Sequence, residues 1–274
     1  MLRSRGATGS LFCVKKRQPF LVIDIQINPD LLSLVEDKRV AIIGPAPYLK
    51  GRQMGSLFDN YDIIVRPNIF HIDKSLVKDY GSRTDIMFHN FGGAFMKGLK
   101  KIIENHPEDF KKLKMMGCLA LKNYGADPHL SWDDNYVSGV VENFNHINAN
   151  NTPFYWIGVK DYKTIYNKVG VELNTGVMAL TILLSYPLKE IFVSGFTFYK
   201  GKSNRYEDIY YEGAVPPEDL GQNTSQLFQG HGEDANRKQL KYTQSLNTEY
   251  PTILKGDDVF TTLMGKICDE NLSL

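Results

Sequence analysis

An α/β fold built on one largely parallel sheet is what this 274-residue sequence predicts, and three observations carry that reading. Apolar runs of strand length recur along the chain, separated by helical or polar segments. The runs are continuous rather than alternating, as in strands covered by helices on both faces. Two of them, RVAIIG (39–44) and EIFVSGF (190–196), close on or beside a glycine, Gly44 and Gly195. In open α/β sheets ligands bind beyond the carboxyl ends of strands.

The elements follow in order. Strands are expected at Phe20–Ile27, Arg39–Gly44, Tyr61–Arg66, Thr84–His89, Met116–Leu121, Phe154–Val159 and Glu190–Phe196. Helices are expected at Met96–His106, Val177–Tyr186 (with Pro187 as its stop) and Asp234–Leu246. Without repeats or a low-complexity linker, the simplest architecture is a single Rossmann-like domain spanning 19–274, behind a basic tail at 1–18 that contains no Asp or Glu. That acid-free start also fits a mitochondrial-type presequence, but it lacks the long apolar core of a secretory signal. The segment 200–230, rich in Gly, Pro, Asn and Tyr, is too long for an ordinary connection and reads as an active-site loop or lid.

Composition narrows the classes. A hydrophobic share of 42% and a charged share of 23% are those of a soluble globular protein. A net charge of +1 gives no electrostatic footprint for nucleic acid. No apolar stretch is long enough for a membrane span. Cys13, Cys118 and Cys268 lie far apart with no CxxC spacing, so neither a disulfide framework nor a structural zinc site is expected. The triplets opening at Asn150, Asn223 and Asn271 have N-x-S/T form and read as chance matches. The Asp133-Asp134 and Asp257-Asp258 pairs read as solvated loop charges, and there is no Asp-x-Asp to hold a metal on a diphosphate.

The candidate site residues sit at two corners. At the first, Gly44 lets the backbone approach a ligand closely, and Asn68, two residues past Arg66, can bond a phosphate oxygen or a ribose hydroxyl. At the second, Asn174, Thr175 and Gly176 open an apolar helix whose unpaired N–H groups make an anion site. Gly195 and Phe196 then close the next strand. Taken singly, each corner is equally an ordinary turn or N-cap, and the first is not a GxGxxG fingerprint.

Together these segments resemble the sialylmotifs of animal sialyltransferases, in order and approximate spacing, over about Arg39 to Leu246. VAIIG and IIVRPN match the large motif. NTG and KEIFVSGF match the small one, IYYE (209–212) the third, and HGEDAN, opening at His231, the last. The resemblance implies a sialyltransferase-type variant of the GT-A fold and an inverting, metal-independent transfer of sialic acid or a related keto-acid sugar from a CMP-linked donor to a glycan hydroxyl. It needs no cofactor, since the CMP-sugar is itself the donor substrate. His231 becomes the implied catalytic base, its imidazole neutral near pH 7. Gly44, Asn68, Asn174, Thr175, Gly176, Gly195, Phe196, Tyr210 and Tyr211 become the implied nucleotide contacts. Outside the resemblance, His231 reads as a surface or helix-capping histidine and the two tyrosines as loop packing. The acceptor is expected against the loop Asn123–Tyr136, where Trp132 offers a ring to a sugar face.

The sequence departs from the family pattern in four places. Pro45 and Ala46 stand where the first-loop asparagine is expected, Ile209 replaces the third-motif histidine, and Asn236 the final glutamate. Val40 and Leu188 occupy the positions of a family disulfide, from which a reducing, cytoplasmic compartment is expected. These departures keep a second class in view, a non-catalytic nucleotide- or glycan-binding protein on the same fold. A different nucleotide-sugar transferase is a third reading.

Overall fold

The structure, a computed structural model, describes residues 25–89, 91, 93–119, 134–148, 150–198 and 233–265. Seven parallel strands form one sheet: β1 (Arg39–Ile43), β2 (Ile63–Pro67), β3 (Ile86–His89), β4 (Met115–Cys118), β5 (Phe154–Trp156), β6 (Glu190–Ser194) and β7 (Leu254–Gly256). Their spatial order is β5-β4-β3-β2-β1-β6-β7. The chain begins in the middle, steps outward on one side to β5, then returns to lay β6 against the free edge of β1. Val40 is therefore in register with both Ile63 of β2 and Ile191 of β6.

Strand β1 shows why its apolar run is unbroken. Val40 and Ile42 face the main core with Val65, Val177, Leu180 and Val193, whereas Ala41 and Ile43 face a second cluster with Phe58, Ile64 and Tyr80. These four side chains are fully buried, and only Arg39, at the start of β1, reaches solvent. Each of the larger three gains about 1.5–3 kcal/mol from leaving water, so a one-residue register slip has nowhere favourable to go. A third cluster, around Met87, Phe110, Met116 and Phe144, fills the sheet toward β4.

The helices are α1 (Pro29–Val35), α2 (Gly55–Asp59), α3 (Val77–Tyr80), α4 (Gly93–Asn105), α5 (Pro107–Phe110), α6 (Asp134–Ile147), α7 (Val159–Val169), α8 (Thr175–Leu183), α9 (Glu233–Glu249) and α10 (Asp258–Gly265). The three helices expected from sequence correspond to α4, α8 and α9. The expected strand at Phe20–Ile27 is corrected over its described part: residues 25–28 carry no strand. Their backbone donors go elsewhere, the Gln26 N–H to Asp161 Oδ2 at 3.0 Å and the Asn28 N–H to the Tyr186 hydroxyl at 3.0 Å. Asn28 then caps α1 through the Leu31 N–H at 2.9 Å, and Pro29 fills the first turn.

Candidate functional site

The strand order reverses between β1 and β6, a topological switch point, and their carboxyl ends touch through backbone. The Gly44 N–H donates to the Ser194 carbonyl at 2.8 Å. A Cβ built on Gly44 would lie 2.2 Å from the Gly195 carbonyl oxygen, and one on Gly195 2.3 Å from the Gly44 oxygen. Gly195 is also left-handed, at φ +75°. Only glycine fits either place, so the two strand ends meet without an intervening side chain.

Helix α8 packs on β2 and β3 and precedes β6, so its N-terminus lies at the edge where the strands end. Asn174 caps it, accepting the Val177 N–H at 2.9 Å, and the Asn174 N–H is in turn held by Gln239 Oε1 at 2.8 Å. Thr175 is the first helical residue. Gly176 gives room to the Phe196 ring, which a Cβ there would approach to 2.7 Å. Phe196 is buried in the main core, so it positions the helix start against the end of β6.

Asn68 follows β2, next to β1. Its backbone is left-handed at φ +61°, a conformation asparagine tolerates better than most residues. Its N–H donates to the Phe88 carbonyl at 2.7 Å, while its side-chain Oδ1 is buried with no hydrogen-bond partner. Arg66, by contrast, points away from this edge. It is 1% exposed, and its guanidinium bonds Thr84 Oγ1 at 3.1 Å and the Tyr80 and Arg83 carbonyls.

A buried relay, not anticipated from sequence, braces the switch point. The Tyr48 hydroxyl donates to Asp257 Oδ2 at 2.5 Å and accepts the Gly195 N–H at 2.8 Å. Ser194 Oγ donates to the same Asp257 oxygen at 2.5 Å, and Asp257 Oδ1 accepts the Phe260 N–H at 2.7 Å, capping α10. Burial, then the adjacent Asp257 carboxylate, pushes the Tyr48 hydroxyl far above the ordinary phenol range, so it stays protonated and donating. Asp257 is 5% exposed, which corrects its reading as a solvated loop charge. Its neighbour Asp258 does face solvent and pairs with Arg52.

The structure thus brings together Gly44, Asn174, Thr175, Gly176, Gly195 and Phe196, with Asn68 on the adjoining strand end. His231, Tyr210, Tyr211 and Trp132, and the proposed lid at 200–230, lie outside the described residues. Tyr48, Gln239 and Asp257 are contributed by segments remote in sequence. Only the acidic pair at 257–258 carried any signal, and spacing alone does not tell a buried cap from a surface charge.

The seven-stranded parallel sheet flanked by helices is of the GT-A-like type. The sequence matches the model of glycosyltransferase family 29 (sialyltransferase) over residues 26–242, and the chain belongs to that family. No curated protein is similar enough in sequence to match. Among solved structures, the sialyltransferase CST-II in complex with trisaccharide acceptor and CMP is 20% identical, with a TM-score of 0.51 over 86% of this chain and 89% of that one. CstII from Campylobacter jejuni in complex with a substrate analogue, CMP-3FNeuAc, is 20% identical with a TM-score of 0.48 over 80% and 79%. A mammalian sialyltransferase in complex with Gal-beta-1-3GalNAc-ortho-nitrophenol is 14% identical with a TM-score of 0.47 over 87% and 76%.

Family membership corrects the expected cytoplasmic location. Sialyltransferases of family 29 typically act in the Golgi or secretory lumen. The expectation rested on Val40 and Leu188 in place of a cysteine pair. Both are buried in one apolar cluster, and the Lys189 N–H bonds the Lys38 carbonyl at 3.0 Å beside them. Packing and backbone bonds join these two segments without a covalent link, so the missing cysteines carry no information about the compartment.

Proposed function

We propose that this chain is an inverting, metal-independent transferase moving sialic acid or a related keto-acid sugar from a CMP-linked donor to a glycan hydroxyl. The observation that carries this reading is the side-chain-free contact of Gly44 with Gly195 at the switch point, flanked by Asn68 and the α8 N-terminus. The nucleotide lies across that crevice. The orphaned Asn68 Oδ1 accepts from a ribose hydroxyl or a base amino group, a bond that satisfies a buried acceptor. The start of α8 faces the phosphate with its dipole and N–H groups.

In the transfer, the acceptor hydroxyl attacks the anomeric carbon as the bond from that carbon to the CMP phosphate oxygen breaks. The bonding pair leaves with CMP, and the hydroxyl proton passes to the His231 imidazole. A single displacement of this kind inverts the anomeric centre. Tyr210 and Tyr211 donate hydrogen bonds to the departing phosphate, whose growing charge is the main electrostatic demand of the step. The monophosphate leaving group, with no Asp-x-Asp in the sequence, supports chemistry without a metal.

Incubation with CMP-sialic acid and a mixed glycan acceptor, with CMP release followed in the parent protein and His231→Ala, tests the reading. Release in the parent that falls by about 10²–10⁴-fold in the variant is expected for loss of a general base. Undiminished turnover in the variant removes His231 from the role of base. CMP binding without turnover in the parent assigns the fold to a binding protein instead.

A further inference from the structure

At the opposite edge of the sheet, where strands begin, three potential metal ligands converge. Helix α4 descends from the end of β3, and His106 and Asp109 lie at the turn into α5, before β4 starts. His106 precedes the first residue of α5 and Asp109 follows three positions on, the spacing that puts two side chains on one helical face. His71 reaches them from the segment that follows β2. Its ring stacks on His106 with centroids 3.4 Å apart and planes 9° from parallel. Its Nδ1 lies 2.8 Å from Asp109 Oδ2, and the other Asp109 oxygen is bound by Lys112 Nζ at 2.8 Å.

We propose that His71, His106 and Asp109 form a binding site for a divalent transition-metal ion of the zinc class. One ligand atom from each lies within 4.8 Å of the other two, and all three residues are half-buried. Two imidazoles and one carboxylate, with a fourth position left for water, make a three-ligand tetrahedral zinc set. The nitrogen content favours zinc, nickel or copper over magnesium or calcium, which prefer oxygen cages. Burial, followed by the neighbouring His71 ring, holds the His106 pKa below the ordinary histidine value. The Asp109 carboxyl also stays below its usual range: burial opposes this, but hydrogen bonds from Lys112 and His71 outweigh it. Asp73 adds negative charge facing both histidines.

The ion clamps the 68–76 segment to the α4–α5 corner. None of the three ligands is among the residues proposed to bind the nucleotide or to take part in the transfer, so the metal site is tested apart from that reading. Its consequence is mechanical: the clamped segment begins at Asn68, and the metal ties that residue's strand end to the base of the sheet.

The test is titration of the full chain, stripped with chelator, with Zn²⁺ alone against a chromophoric chelator, repeated with Co²⁺ to read coordination number from its visible absorption. The expected result is one equivalent bound with a four-coordinate Co²⁺ spectrum and no competition from Mg²⁺. His106→Gln and Asp109→Asn should each weaken binding by more than the ~10–100-fold typical of losing an outer-shell partner. The exposed His146→Ala should bind as the parent does. With Zn²⁺ about 100-fold above its Kd, Tm should rise by about 5–10 °C in the parent and not in His106→Gln, whose fold is checked by circular dichroism. Absence of a one-equivalent site, or equal Zn²⁺ affinity in parent, His106→Gln and Asp109→Asn, overturns the proposal and leaves only a stacked histidine pair with a His71–Asp109 hydrogen bond.

Discussion

Replacing Gly44 with alanine applies one methyl group at the point where β1 and β6 end. The new Cβ would sit 2.2 Å from the Gly195 carbonyl oxygen, 2.9 Å from its carbonyl carbon and 3.0 Å from Phe196 Cδ2. Since real Cβ contacts do not fall below 3.0 Å, the strand ends must part by about 0.8 Å. That displacement takes the 2.8 Å bond from the Gly44 N–H to the Ser194 carbonyl beyond bonding range. The obstacle is backbone, and no side-chain rotation relieves it. Overpacking costs about 1–3 kcal/mol and a lost buried hydrogen bond about 1–3 kcal/mol. Part of each overlaps in one relaxed structure, giving about 2–4 kcal/mol, or a fall in Tm of about 5–15 °C. If the nucleotide spans this junction, a misplacement near 1 Å should also lower CMP-release kcat/KM by about 100-fold. Thermal denaturation and the CMP-release assay are run beside Gly139→Ala, a helical position where an added Cβ meets nothing within 4 Å. That control should hold or gain about 0.4–1 kcal/mol. A Gly44→Ala protein with the parent's Tm and kcat/KM refutes the close-approach argument.

Two further outcomes follow from buried groups. Tyr48→Phe removes the acceptor of the Gly195 N–H and one donor to Asp257; chemical denaturation should show a loss of about 1–3 kcal/mol, and retention of full stability would mean the relay braces nothing. His89 is fully buried at the end of β3, and burial lowers its pKa to about 3. The unfolded chain, with a histidine pKa near ~6.5, binds the proton first as pH falls. The contribution is therefore fully present above about pH 6.5 and is lost as pH drops toward 3, with a slope of at most about 1.4 kcal/mol per pH unit. His89→Gln should flatten that part of the stability profile, and an unchanged slope would assign it to other groups.

The fold was legible where burial on both sheet faces leaves an apolar run, as in Arg39–Ile43 and Glu190–Ser194. It was illegible where an element is short or its donors are diverted. Strand β7 is three residues with no run to announce it, and Phe20–Ile27 has strand composition, yet the backbone donors of Gln26 and Asn28 are taken by side chains of α7 and of the turn after α8. The glycines of the candidate site were readable because no other residue fits them. Tyr48, Asp257 and Gln239 were not, because their roles depend on contacts such as the Tyr48–Asp257 bond, made between residues 209 apart in sequence. The His71–His106–Asp109 cluster was hidden for the same reason. His106 and Asp109 carry a helical spacing, but only the fold of the 68–76 segment supplies the third ligand.

The central claim is that a cytidine nucleotide binds over the Gly44–Gly195 junction beside Asn68. Isothermal calorimetry of CMP with the parent and with Asn68→Gly tests it most directly, since glycine keeps the left-handed backbone while removing the orphaned Oδ1. The account predicts saturable one-to-one binding by the parent, weakened about 5–30-fold in Asn68→Gly as one hydrogen bond of roughly 1–2 kcal/mol is lost, with Tm unchanged. No CMP binding by the parent, or equal affinity in the two proteins, contradicts it.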